Sequence, residues 1–122
     1  MKDLFKNFIK GLLVLLTLIC ANTASAQFVP QNEVEEQAAK LVQAYQVEVG
    51  MTVEQASAVY EKIVEVIDKE NSIKNSTATA EQKKKSLMEL SKQESEHMGT
   101  ILDSKQFNEY KKMKKSLQPI KI

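Results

Sequence analysis

The sequence predicts an all-α protein: a small, elongated four-helix bundle of the hairpin type, preceded by a signal peptide. Two observations support the all-α prediction. Helix-forming residues dominate the chain beyond residue 27, and no alternating run of Val, Ile or Thr bounded by an Asn-Gly or Asp-Gly turn occurs. Only Pro30, Gly50, Gly99 and Pro119 interrupt this stretch, which therefore accommodates long helices as a single domain.

The first 26 residues have the pattern of a secretory signal peptide. Three lysines are followed by an uncharged apolar run over 11–21, which is shorter than the roughly 20 residues that span a membrane. Ala24 and Ala26 occupy positions −3 and −1 of a predicted cleavage site before Gln27. We therefore expect a chain of residues 27–122 that is exported, periplasmic or secreted, and has no membrane span. The alternative is an uncleaved amphipathic anchor.

Three short segments have the spacing of a capping box, in which the N-cap side chain and a Gln three residues later satisfy each other's backbone N–H. In the two stronger copies an apolar residue precedes the cap, where it can pack onto the first helical turn. The segments are Met51-Thr52-Val-Glu-Gln55, Leu102-Asp103-Ser-Lys-Gln106 and, more weakly, Ala78-Thr79-Ala-Glu-Gln82. Each segment predicts the start of a helix.

Hydrophobic periodicity completes the helix prediction, with apolar residues at the spacing of one helical face. The predicted helices cover about 32–49, 53–74, 80–98 and 104–117. Asn32 is a suitable N-cap for the first helix, and Gly50 is a suitable C-terminal residue. The second helix has the most continuous apolar stripe and frays from Asn71. Gly99 is expected to stop the third helix, and Pro119 follows the fourth.

The predicted third helix has a thin apolar face. Leu87, Leu90 and Met98 lie on it, but polar residues separate them where a buried helix would carry Leu or Ile. These polar residues are Ser91, Glu94 and Ser95. A helix this polar is expected to lie on the surface or to border a partner site.

Charge is distributed unevenly between the two halves of the predicted mature chain. Residues 27–70 carry three lysines and nine acidic residues, whereas 71–122 carry eleven lysines and six acidic residues. Such a chain can pair its halves within one molecule or between two, or present a basic surface to a partner. We do not expect nucleic acid as a partner, because every basic residue is lysine and aromatic residues are not interleaved with them.

No catalytic constellation is apparent, so we expect neither an enzyme nor a bound cofactor. Beyond the signal peptide the chain has one histidine, no cysteine and no phosphate-binding loop. Glu94 and His97 have the Glu-x-x-His spacing of di-metal bundles, but those proteins need two copies and further glutamates. These two residues are weak metal candidates, and a solvated Glu–His pair is the simpler interpretation.

The two stronger capping boxes lie about fifty residues apart in a small chain that is predicted to be exported and helical. In this respect the sequence resembles the Spy/CpxP family of periplasmic proteins, which is named for a repeated L-T-x-x-Q motif. The matching positions are Met51, Thr52, Gln55, Leu102, Asp103 and Gln106. Met replaces Leu in the first copy and Asp replaces Thr in the second, and both changes keep the capping chemistry. The likeness covers 49–117.

The resemblance implies a thin antiparallel homodimer, and a small core without disulfides also favours a dimer. It further implies ATP-independent, holdase-like binding of unfolded or stress-damaged envelope proteins. Some members instead report stress to a membrane sensor kinase or bind metal. The alternatives are therefore a regulatory or metal-responsive accessory protein, or an exported interaction protein. Flexible methionines and lysines suit varied clients. The candidate client-binding residues are Lys83, Lys84, Lys85, Met88 and Met98.

Overall fold

The computed structural model describes residues 28–120, so the predicted cleavage site at Ala24, Ala26 and Gln27 lies outside the described residues. Helices occupy 81% of this part of the chain and no strand occurs in it, which confirms the all-α prediction. The elements are α1 (Glu33–Val49), α2 (Val53–Lys74), α3 (Ala80–Ile101) and α4 (Ser104–Leu117). No helix within the described range is both long enough and apolar enough to cross a membrane.

The four helices form a closed ring in which each packs against two neighbours. α1 contacts α2, α2 contacts α3, α3 contacts α4, and α4 returns to α1. α2 and α4 lie diagonally opposite each other without close approach of their backbones, and so do α1 and α3. Short connections make successive helices antiparallel, as is typical of up-and-down bundles.

Each connection follows from a capping signal in the sequence. Gly50 ends α1 with φ of 73°, a left-handed conformation that glycine adopts without steric cost, and its N–H donates to the carbonyl of Gln46. Thr52 then caps α2, so only three residues separate the two helices. Thr79 caps α3 in the same way after a loop over 75–79. Each of these caps forms between residues that are close together in the sequence.

The predicted end of the third helix is wrong. Gly99 does not stop α3, which continues to Ile101 and is capped by Leu102. Gly99 has no positive φ, and a Cβ at this position would only reach ordinary contact with the Phe107 ring. The helix ends where Leu102 enters the core and Asp103 begins α4, so the start of the next helix determines the end of this one.

The core lies between the apolar faces of the helices and includes side chains from all four of them. It contains two tyrosines, Tyr45 on α1 and Tyr110 on α4, whose ring centroids are 5.1 Å apart. Its largest cluster consists of Ala38, Val42, Tyr45, Val49, Met51, Ala56, Val59, Ile63, Ile67, Met98, Leu102 and Tyr110. The residues that precede the two stronger capping boxes, Met51 and Leu102, therefore anchor both helix starts in this core.

Candidate functional site

The two strong capping boxes lie side by side at the end of the bundle where α2 and α4 begin, which we call the motif end. In each box the Gln side-chain oxygen accepts from the N-cap backbone N–H, at 3.0 Å for Thr52 and 3.0 Å for Asp103. The N-cap side chains accept from the backbone N–H groups of Gln55 and Gln106 in return. Both boxes are therefore complete within their own helices.

The two glutamine side chains also bind each other. Gln55 Nε2 donates to Gln106 Oε1 at 2.8 Å, and Gln106 Nε2 donates to Gln55 Oε1 at 2.9 Å. Each amide nitrogen makes a second bond across the interface, to the carbonyl of Ile101 for Gln55 and to the carbonyl of Gly50 for Gln106. Each glutamine thus binds the carbonyl that lies two residues before the N-cap of the other box. The arrangement has approximate two-fold symmetry and connects the α1–α2 corner to the α3–α4 corner.

A buried polar cluster lies between α3 and α4, further from the motif end. Glu94 is only 1% exposed, and its Oε1 accepts from the Tyr110 hydroxyl at 2.6 Å. Lys114 Nζ lies 3.4 Å from the same oxygen, and Gln118 Nε2 donates to Oε2 at 3.0 Å. The carboxylate thus has a partner on each oxygen, as a buried charge requires.

Further hydrogen bonds connect this cluster to α1 and to the α3 backbone. The Tyr45 hydroxyl donates to Gln118 Oε1 at 2.5 Å. Lys114 Nζ donates to the carbonyl of Ser91 at 2.9 Å and to Ser95 Oγ at 3.2 Å. Among the described residues no buried side-chain nitrogen or oxygen lacks a hydrogen-bond partner. The cluster therefore braces three helices and leaves no buried polar side-chain atom unpaired.

The electrostatics of the cluster follow from its burial. Burial raises the pKa of Tyr45 and that of Tyr110 far above the usual value, and the negative charge of Glu94 adds to both shifts. Burial also lowers the pKa of the Lys114 ammonium, although the neighbouring Glu94 opposes this shift. The half-buried Glu70 of α2 has a raised pKa, again mainly because of burial.

A cavity of about 600 Å³ opens beside this cluster, at the end of the bundle opposite the motif end. This volume lies within the roughly 300–1,000 Å³ that is usual for ligand sites. Its apolar lining comes from all four helices and the segment after α4: Leu41, Ala44, Ile67, Leu87, Leu117, Pro119 and Ile120. Its charged lining consists of Lys40, Glu70, Lys74, Glu94 and Lys114. The cavity therefore combines an apolar wall with amino groups.

The predicted client-binding residues do not all lie on a surface. Met98 is fully buried in the core, so it is not available to a client and that prediction is wrong. Met88 is 54% exposed, and Lys84 and Lys85 are exposed. Lys83 is half-buried and its Nζ donates to the carbonyl of Lys74, a residue of the cavity lining. The start of α3 thus lies near the cavity.

The structure does not bring the weak metal candidates together as a site. Glu94 points into the buried cluster and binds Tyr110, Lys114 and Gln118, whereas His97 is exposed. No group of three or more His, Cys, Asp or Glu side chains suited to a metal occurs within the described part of the chain. The Glu-x-x-His spacing here therefore joins a buried carboxylate and an exposed imidazole that do not face a common site.

Sequence reasoning missed the buried cluster, although one signal of it was visible. Glu94 falls on the same helical face as Leu87, Leu90 and Met98, which is the face that packs inward. A charged residue on a core-facing stripe needs a buried partner, and α4 offers Tyr110 and Lys114 one turn apart on its inner face. These positions together could have indicated the ion pair. Comparisons with family models, with curated proteins and with solved structures return no match to this chain.

Proposed function

We propose that this chain is an ATP-independent, holdase-type chaperone that binds apolar segments of unfolded or stress-damaged proteins in the cell envelope. The observation that carries the proposal is the open cavity of about 600 Å³ with its apolar wall. Leu117 and Ile120, at 38% and 45% exposed, belong to that wall and remain accessible to solvent. Exposed apolar side chains in a concave setting are typical of a binding surface.

The paired capping boxes support kinship with the Spy/CpxP family. In a chain with one capping box the Gln serves only its own helix, but here Gln55 and Gln106 bind each other and the opposite corner. The repetition of the motif thus has a structural reason that requires both copies. The kinship in turn supports a role in the envelope and binding without a cofactor.

The charges at the cavity support a preference among clients. Lys40, Lys74 and Lys114 lie in the lining together with the apolar side chains and outnumber its two carboxylates, Glu70 and Glu94. An unfolded chain in which acidic residues flank a short apolar stretch would bury the stretch and place its carboxylates near these amino groups. The sequence contains no glycine-rich phosphate-binding motif, which supports action without ATP.

Suppression of aggregation tests the proposal. The chain should reduce light scattering by a reduced or heat-unfolded client at a several-fold molar excess, with no ATP present. Replacing both Leu117 and Ile120 by Ser should remove at least half of this effect, since both side chains are exposed and the substitutions leave the core intact. The matched control is Val47→Ser, which alters a side chain 81% exposed on α1 away from the cavity.

The outcomes separate the alternatives. No suppression at several-fold excess would refute the holdase function. Equal loss in the Leu117/Ile120 variant and in the Val47 control would refute the cavity as the binding surface. Circular dichroism of each variant establishes that the helical fold is retained before the scattering results are compared.

A further inference from the structure

α4 presents four lysines on the face that points away from the bundle. Its inner face carries Tyr110, Lys114 and Gln106, and the opposite face is exposed along the whole helix. The residues exposed there are Lys105, Asn108, Lys111, Lys112, Lys115 and Ser116. Positions 105, 108, 112 and 115 follow the three- and four-residue spacing of one helical face. At about 1.5 Å per residue the row is roughly 15 Å long.

The acidic residues nearest this row neutralise little of it. Glu109 pairs with Lys112 at 3.3 Å, while Lys111 lies over the Phe107 ring with its Nζ 4.9 Å from the centroid. The lysine row, which we define as Lys105, Lys111, Lys112 and Lys115, thus keeps a net positive charge over three turns.

The opposite side of the molecule carries the complementary charge. α2 lies diagonally across the bundle from α4, which it meets through Gln55 and Gln106 at the motif end. Its outward face exposes Glu54, Glu61, Glu65 and Asp68. Lys62 and Lys69, which both pair with Glu65, offset two of these four charges. α1 is acidic as well, with four glutamates against Lys40, so negative charge lies on α1 and α2 and positive charge on α4. The chain is therefore dipolar despite a formal net charge of +1, and an anionic surface would attract α4.

We infer that the lysine row of α4 binds the surface of an anionic lipid membrane, with α4 lying parallel to the headgroup layer. Rows of four to eight basic side chains are attracted to anionic headgroups, and the attraction acts in any register because the headgroups are mobile. The exposed face has no apolar or aromatic anchor of the kind that forms the centre of a protein–protein interface. It also has no arginine or aromatic side chain for reading or stacking nucleic acid bases.

Binding of this kind is peripheral and reversible, since lysines alone do not insert into the hydrocarbon layer. It leaves the cavity free, because the lysine row and the cavity lining share no residue. The inference is thus independent of the proposed holdase function, and either can fail without the other.

Vesicle binding by the full chain and matched variants tests the inference. The native chain should co-sediment with vesicles containing phosphatidylglycerol but much less with pure phosphatidylcholine. Salt at about 0.5 M, where the Debye length is roughly half its physiological value, should release the chain. Lys111→Gln combined with Lys115→Gln should weaken the partition at least about tenfold. Lys69→Gln combined with Lys92→Gln removes the same charge from α2 and α3 and should change it by less than about twofold.

A label reports which face meets the membrane, independently of any contribution from the N-terminal apolar run. In a Cys20→Ser background, a fluorophore is attached at Asn108→Cys on the lysine row or at Ser57→Cys on the outward face of α2, both exposed positions. Anionic vesicles should protect the α4 label from a water-soluble quencher and leave the α2 label accessible.

Three results would overturn the inference. Equal weakening in both double variants would mean that net charge alone drives binding. Equal accessibility of the two labels on anionic vesicles would mean that another part of the chain makes the contact. Salt-sensitive capture by poly-glutamate without binding to anionic vesicles would assign the lysine row to an acidic protein partner.

Discussion

At the scale of single residues, Glu94 is a charged side chain in a position that helical periodicity assigns to the core. Burial of an unpaired carboxylate is prohibitively costly, so its retention depends on the donors around it. Tyr110, Lys114 and Gln118 supply these donors from α4 and the segment that follows it. A buried ion pair is weak evidence of net stabilisation, but loss of one member leaves the other charge unpaired.

This asymmetry makes a prediction for Glu94→Ala. The substitution should lower the free energy of unfolding by about 3–5 kcal/mol, because the partly buried Lys114 ammonium would lose its counter-charge and the buried Tyr110 hydroxyl its acceptor. Urea unfolding followed by circular dichroism measures the change. Glu96→Ala, which alters a side chain 67% exposed on the same helix, should change the free energy by less than about 0.5 kcal/mol. A cost below about 1 kcal/mol for Glu94→Ala would contradict the inference that Lys114 depends on this carboxylate in the folded chain.

At the scale of elements, three helices begin with the same capping chemistry but only two of the boxes are joined. The bonds of Gln82 stay within the capping box of α3. Gln55 and Gln106 make those bonds and, in addition, bind each other and the backbone of the opposite corner. The chain thus contains its own comparison between a cap that only starts a helix and a cap that also joins two helix pairs.

Substitution of each glutamine by Ala should reveal this difference. Gln55→Ala and Gln106→Ala should each cost about 1–3 kcal/mol, because backbone groups at both corners lose partners. Gln82→Ala should cost about 1 kcal/mol or less, as expected for a cap alone. In a double-mutant cycle Gln55 and Gln106 should be coupled by about 0.5–3 kcal/mol. If Gln55→Ala costs no more than Gln82→Ala in chemical denaturation, the joint role of the two boxes is wrong.

At the scale of the whole molecule, closure of the ring depends on contacts between α1 and α4, the first and last helices. Tyr45 packs against Tyr110 and binds Gln118, which in turn binds Glu94 on α3. Both tyrosines are fully or almost fully buried. Neither hydroxyl can lose its proton without placing a second negative charge beside Glu94, so their ionisation requires the bundle to open.

An alkaline limit to stability follows from the pKa shifts. The folded chain raises the pKa of Tyr45 and of Tyr110 above the usual value of about 10, so above that pH the unfolded chain binds fewer protons and stability falls. The lowered pKa of Lys114 makes stability rise with pH below the usual pKa of lysine, but this is one group against two tyrosines. We therefore expect the melting temperature to fall progressively above about pH 10.

Ultraviolet titration distinguishes the three tyrosines of the chain. Only Tyr60, which stacks on Phe28 near the surface, should ionise while the helical circular dichroism signal is intact. The Tyr60→Phe variant should then show no tyrosinate absorbance until the helices melt. In that variant, a rise in tyrosinate absorbance at about 295 nm with an unchanged helical signal would refute the buried state of Tyr45 and Tyr110.

Much of the fold could be predicted from short-range chemistry. Each N-cap side chain accepts from a backbone N–H three residues later, so the helix starts can be predicted without knowledge of the core. The four N-caps are Asn32, Thr52, Thr79 and Asp103. The same reasoning failed at Gly99, because a distant requirement, the entry of Leu102 into the core, decides where α3 ends. It failed also at Met98, whose type suits both a core and a binding surface.

Less of the candidate site could be predicted from the sequence. Periodicity places Glu94 on the inward face of α3, but only the folding of α4 along α3 brings Lys114 and Gln118 to its carboxylate, at 3.4 and 3.0 Å. The cavity likewise needs side chains from four helices and the segment over 118–120, so no single stretch of sequence describes it. Burial and pKa depend on these surroundings rather than on residue type.

The sequence by itself determined the all-α class, the four helix starts and most of the inward-facing stripes, because these depend on interactions between residues three or four positions apart. Tertiary structure alone decided that Gln55 pairs with Gln106, that Glu94 is buried in an ion pair, and that a cavity opens opposite the motif end. Each of these features joins residues far apart in the chain. Their contact depends on how complete helices pack, and local propensity carries no information about that packing.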